Sequence, residues 1–77
     1  MRAAAVRKTP YTELGIKRVG CIRCGKKASA QWNICADGGN FRPICSSCDI
    51  QLNRLVLHWA RIPNASEKMA KYVSDKT

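Results

Sequence analysis

Between Ala28 and Ala36 apolar and polar residues alternate. Ala28, Ala30, Trp32, Ile34 and Ala36 fall on one side of an extended chain, and Ser29, Gln31, Asn33 and Cys35 on the other. A period of two predicts a half-buried β-strand. Asp37-Gly38-Gly39 follows as a hairpin turn, and Asn40 to Ile44 return as the second strand, in which Pro43 must face an edge or end the pairing. After Cys45 the period lengthens. Ser46 or Ser47 is expected to cap a helix in which Ile50, Leu52, Leu55, Val56, Leu57 and Trp59 spread over a wide apolar face, and Pro63 stops it. Asn64-Ala65-Ser66-Glu67 has the chemistry of a capping box for a second short helix, where Met69, Tyr72 and Val73 recur at i, i+3 and i+4 as a packing stripe. Residues 1–20 show no period and are expected to form a basic arm that a partner orders.

Size sharpens this outline. A chain of 77 residues and 8.6 kDa makes one small domain, which excludes a multidomain protein and an enzyme with a large substrate cavity of its own. So short a chain buries too little apolar surface to be stable without help from a metal or disulfides. With 45% hydrophobic and 25% charged residues it lies outside the disordered class. No apolar run approaches the roughly 18 residues of a membrane span, so no membrane partner is expected. Arg7, Lys8 and Pro10 interrupt the apolar core that a signal peptide needs, which predicts a cytoplasmic, reducing location. There, five cysteines argue for metal ligation or redox work rather than a disulfide scaffold.

The cysteine spacing selects between those two. Cys21-Ile22-Arg23-Cys24 and Cys45-Ser46-Ser47-Cys48 are C-x2-C pairs with 20 residues between them, the frame of a structural zinc site. Two thiolates three positions apart grip one side of a tetrahedral ion, and the second pair completes it. Gly25 supplies the unrestricted backbone such a turn needs. One zinc ion on Cys21, Cys24, Cys45 and Cys48 is therefore expected, closed to water and structural rather than catalytic. The competing reading is a pair of redox dithiols. Cys35 lies between the pairs and is expected as a small half-buried strand residue, with a reactive thiol or a fifth ligand as the alternatives. His58, the single histidine, sits on the predicted helix, where packing or a surface contact is the simpler role.

Charge adds a partner. Fourteen Lys and Arg against five Asp and Glu give a formal net charge of +9. The excess is concentrated in the first third, where Arg2, Arg7, Lys8, Lys17, Arg18, Arg23, Lys26 and Lys27 face Glu13 alone. A positive field of that density suits a polyanion.

A knuckle, a β-hairpin and a helix whose first turn brings the last two ligands resembles a treble-clef zinc finger. Residues 21–59 more narrowly resemble the zinc-binding part of the phage recombination endonuclease VII family, within the His-Me (HNH-type) finger nucleases. The likeness rests on Cys21 and Cys24, on Gly39-Asn40-Phe41-Arg42 ahead of Cys45-Ser46-Ser47-Cys48, and on Asp49 and Leu52 at the start of the helix. It implies a small α+β zinc-stabilised domain over residues 21–62, preceded by the arm over 1–20 and followed by a C-terminal helix and tail over 63–77. It also implies phage origin and, with it, the cytoplasm of a bacterial host. That family carries an Asp/His-rich segment with its general base just ahead of the Gly-x-x-Arg stretch. Here Gln31 to Asp37 hold no histidine and one carboxylate, so metal-assisted phosphodiester hydrolysis lacks its parts and no enzyme is expected.

The leading expectation is therefore a non-catalytic zinc module that binds nucleic acid, DNA or RNA. Its contacts would be Arg2, Arg7 and Lys8 of the arm, Lys17, Arg18, Arg23, Lys26 and Lys27 around the first knuckle, and Arg42 of the hairpin. Without a base-reading motif the binding should be weakly sequence-selective and steeply salt-dependent. The alternative is a phage-type adaptor or inhibitor docking on a host machine such as RNA polymerase. Its sequence support is an apolar surplus at Leu55, Trp59 and Ile62 beyond what one thin finger covers.

Overall fold

The computed structural model describes residues 8–76 of the chain, with helix α1 over Glu13–Ile16, strand β1 over Ala30–Ile34 and strand β2 over Asn40–Ile44. Two longer helices follow, α2 over Ser46–Trp59 and α3 over Ala65–Lys76. The architecture is small α+β: one antiparallel hairpin with helices packed against it, α3 resting on α2.

The alternating stretch does form a strand, but a shorter one. β1 pairs with β2 in the register Ala30 to Ile44, Trp32 to Arg42 and Ile34 to Asn40. Burial fades towards the turn, because the hairpin tip extends past the helices: Ala28 is buried and Ala30 and Trp32 are half-buried, whereas Ile34 and Ala36 are exposed. The chain leaves the sheet at Cys35, where a 3₁₀ turn over Cys35–Asp37 precedes Gly38 and Gly39, both at positive φ. Cys35 is thus an exposed turn residue and not the half-buried strand residue expected. Pro43 sits opposite Gln31 and is fully buried. In a two-stranded sheet its missing N–H faces no third strand, while its carbonyl accepts from Ile22 N at 2.9 Å and so ties the first knuckle to the sheet.

The caps differ from those expected. Cys45, rather than Ser46 or Ser47, is the N-cap of α2, and its Sγ accepts from Cys48 N at 3.4 Å. At the other end Ile62 N bonds Leu57 O at 3.0 Å and Arg61 N bonds His58 O at 3.1 Å, with Arg61 left-handed at φ 56°. That is a Schellman motif built without glycine, and Ile62 is its half-buried hydrophobic residue. Asn64, also left-handed at φ 59°, leads into α3, and its carbonyl accepts from Lys68 N.

Two small cores result. One gathers Cys21, Ile44, Cys45 and Cys48, with Ala30, Trp32 and Leu52 packed on it. The other gathers Tyr11, Ile16 and Ala28, with Val19 beside them. The second core changes the picture of the N-terminus. Part of the arm expected over 1–20 is folded: α1 is capped by Thr12, whose hydroxyl accepts from Gly15 N, and Tyr11 is clamped by the Gln31 carboxamide. Periodicity could not show this, because four helical residues carry too few positions to repeat. Arg2 and Arg7 lie outside the described residues.

Candidate metal centre

The first C-x2-C pair is shaped by its backbone. Gly25 N donates to Cys21 O at 2.8 Å and Cys21 N donates to Lys26 O at 2.6 Å, closing a tight turn around Cys21–Gly25. Gly25 takes φ 82° there, a conformation a side chain would strain. An isolated bridge between Gly20 and Lys27 closes the base of the knuckle. The second pair needs no loop of its own. Cys45 directly follows β2 and caps α2, and Cys48 lies one helical turn on, so both sulfurs face the same side.

Together the elements bring Cys21, Cys24, Cys45 and Cys48 into one cluster in which every Sγ lies within 4.8 Å of the others. Cys24 and Cys45 approach to 3.5 Å. An ion with metal–sulfur bonds of about 2.3 Å at the centre of a sulfur tetrahedron needs sulfur–sulfur edges of about 3.8 Å. The cluster spans that distance, so the four cysteines could hold a metal ion. Cys21, Cys45 and Cys48 are buried and Cys24 is exposed. Neither Cys35 nor His58 joins them among the described residues.

The local electrostatics favour thiolate in part of the set. Burial opposes ionisation of Cys21, but backbone N–H groups around Cys45, Cys24 and Arg23 outweigh it and bring the thiol down to about 6. The Cys48 amide, at the N-terminus of α2, likewise lowers Cys45. Cys48 is pushed up to about 12 by its hydrogen bond with Cys45 and by burial. Arg23 leans over the site, donating to Gln51 Oε1 at 2.6 Å and reaching Cys48 Sγ at 3.8 Å.

Behind the cluster stands a polar hub that the sequence did not reveal. Asp49 follows the last cysteine and is only 3% exposed. Its carboxylate accepts from Trp32 Nε1 at 3.0 Å, from Asn53 Nδ2 at 3.1 Å and from the Tyr72 hydroxyl. One acid thus joins β1, α2 and α3. In the sequence it has the look of an ordinary first-turn acid of a helix; the indole of Trp32 and the phenol of Tyr72, at matching depth, were the signals available.

The candidate nucleic-acid contacts divide. Lys8, Lys17, Arg18, Arg23, Lys26 and Lys27 are exposed. Arg23 and Lys26 share a shallow groove with Cys24, Ser47 and Gln51 beside the sulfur cluster. The Gly20–Lys27 bridge and the bond from Ala28 N to Val19 O bring the chain just after Arg18 alongside the chain just after Lys26. Arg42 is half-buried and ion-paired with Asp37, which holds that carboxyl below its usual range. Of the candidate protein contacts, Leu55 and Trp59 are exposed, and Ile62 is taken up in the end of α2. Among the described residues no helix is long and apolar enough to cross a membrane. Comparison of the chain with protein-family models, with curated proteins and with solved structures finds no match.

Proposed function

We propose that the chain is a non-catalytic zinc module that binds nucleic acid through the basic face of its first knuckle. Zinc is the ion best suited to a tetrahedral set of four thiolates that serves structure, with iron as the competing metal for the same ligands. In support of a treble-clef reading, the elements run knuckle, hairpin, helix, with the last two ligands at the start of the helix. The resemblance to the endonuclease VII zinc part, and the phage origin it implies, rest on the residues quoted above. Catalysis is left out of the proposal for two reasons. Four protein thiolates leave the ion no open position for water, and the hairpin's one carboxylate, Asp37, is held by Arg42.

The observation that carries the nucleic-acid reading is convergence. Arg23 and Lys26 face one groove at the first turn of α2, and Lys17, Arg18 and Lys27, close to them in the chain, are exposed. A concentration of exposed lysines and arginines is the electrostatic footprint of a phosphate-backbone partner. The test is anisotropy of labelled duplex and single-stranded oligonucleotides over a salt series. About four phosphate contacts predict a log–log salt slope near −4 for duplex DNA. The double substitution Lys26→Glu with Lys27→Glu should weaken binding about tenfold or more while leaving bound metal unchanged. Binding that ignores salt, or that survives the double substitution, overturns the reading.

A further inference from the structure

A second surface on α2 adjoins the groove that Arg23 and Lys26 line, and shares Arg23 and Cys48 with it. Leu52, Leu55, Val56 and Trp59 fall at i, i+3, i+4 and i+7, which makes one stripe. Leu52 is half-buried on the metal core, but Leu55 is 67% and Trp59 87% exposed. The stripe begins in a small, mostly apolar groove lined by Ile44, Leu52 and Leu55, with Arg23 and Cys48 at its edge. α3 does not cover it, because α3 packs on another face of α2, where Arg54, His58, Ala65 and Met69 line the seam. Two large side chains left adjacent on a helix are a site for another helix rather than scattered surface residues.

We propose that this stripe docks an acidic amphipathic helix of a partner protein, its apolar residues entering the Ile44–Leu52–Leu55 groove and covering Trp59. Charge selects that occupant. A second copy of the chain would bring another +9 against the first. The rim offers cations at both ends, Arg23 beside the groove and Arg61 just after Trp59, and both are exposed. The single acid of α2, Asp49, is turned into the core, so nothing negative on this helix opposes an acidic partner. The floor is aliphatic, which suits leucine or phenylalanine anchors at i, i+4 and i+7 and offers a nucleobase little beyond Trp59 itself.

The experiment selects a displayed library of random peptides of about 16 residues on the zinc-loaded full chain, in about 0.3 M salt so that charge alone is not enriched. Expected are sequences with leucine, phenylalanine or tryptophan at helical spacing among Asp and Glu. Their affinity should fall about tenfold or more in Leu55→Asp and in Trp59→Ala, and hold in the Lys26→Glu, Lys27→Glu chain. Both exposed positions tolerate substitution, so metal content and amide spectra away from α2 should be unchanged. The proposal is overturned by failure to enrich over the Leu55→Asp control, by basic or anchor-free peptides, or by a chain that dimerises through this face. It is overturned equally if Trp59→Ala weakens oligonucleotide binding as much as the lysine substitutions do, which would make the stripe part of the nucleic-acid surface.

Discussion

Asp49 shows how much one side chain can hold in so small a protein. A buried carboxylate is costly unless donors surround it, and here an indole N–H, a carboxamide and a phenol hydroxyl do so. The donors come from β1, α2 and α3, so the hub fixes where α3 lies as well as how Trp32 packs on the core around the sulfur cluster. Removing the carboxylate takes the acceptor from the Trp32 indole N–H and one partner from Tyr72, while Asn53 keeps its bond to Asp49 O. Asp49→Ala should therefore cost about 2 kcal/mol, the penalty of a buried indole N–H left without its acceptor. Denaturant titration of the metal-loaded chain measures it, and the same variant should keep its full complement of metal, because no cysteine has moved. A loss under about 0.5 kcal/mol would mean that water reaches the hub and that α3 is held by packing alone.

At the scale of elements, local rules were legible and long-range ones were not. The period of two around Trp32 and the longer period after Cys45 announced β1 and α2, because each repeats within its own segment. The cysteine frame was legible for another reason: chelation demands one residue type at fixed spacing, and the structure does gather the four sulfurs. Illegible were contacts made once, across distance. The Gln31 carboxamide accepts from Tyr11 N at 2.7 Å and donates to Tyr11 O at 3.0 Å, pairing with the backbone as a neighbouring strand would. Nothing periodic marks a bond between residues 20 apart. It matters because α1 has four residues and cannot persist alone. In Gln31→Ala the segment from Tyr11 to Val19 loses this pairing but keeps the packing of Tyr11, Ile16 and Val19 around Ala28 and the bond from Ala28 N to Val19 O. Hydrogen exchange should then show the Tyr11 and Ile16 amides losing protection while α2 keeps its own, with global stability down by about 1–2 kcal/mol. Unchanged protection at Tyr11 would show that the apolar contacts suffice.

If the four cysteines hold the proposed ion, the decisive quantity for the molecule as a whole is what remains without it. Among the described residues the buried apolar set is Tyr11, Ile16, Cys21, Ala28, Ile44, Cys45, Cys48 and Met69, and three of these are members of the sulfur cluster. The core that joins hairpin to helix is thus largely the cluster itself. A structural zinc ion contributes about 10–16 kcal/mol to folding, whereas whole domains are stable by only about 5–15 kcal/mol. Losing the ion should therefore unfold the chain rather than loosen it. Chelation under reducing conditions is expected to abolish the dispersed amide spectrum and most of the helical circular dichroism, and one equivalent of zinc should restore both. Cys21→Ser and Cys48→Ser should behave as the chelated protein does. Cys35→Ser should be indistinguishable from the unaltered chain, since Cys35 is exposed and outside the cluster. A chelated chain that keeps its dispersed spectrum would show instead that the two small cores and the Asp49 hub suffice, and the four sulfurs would have to be read as redox thiols and not as a clasp.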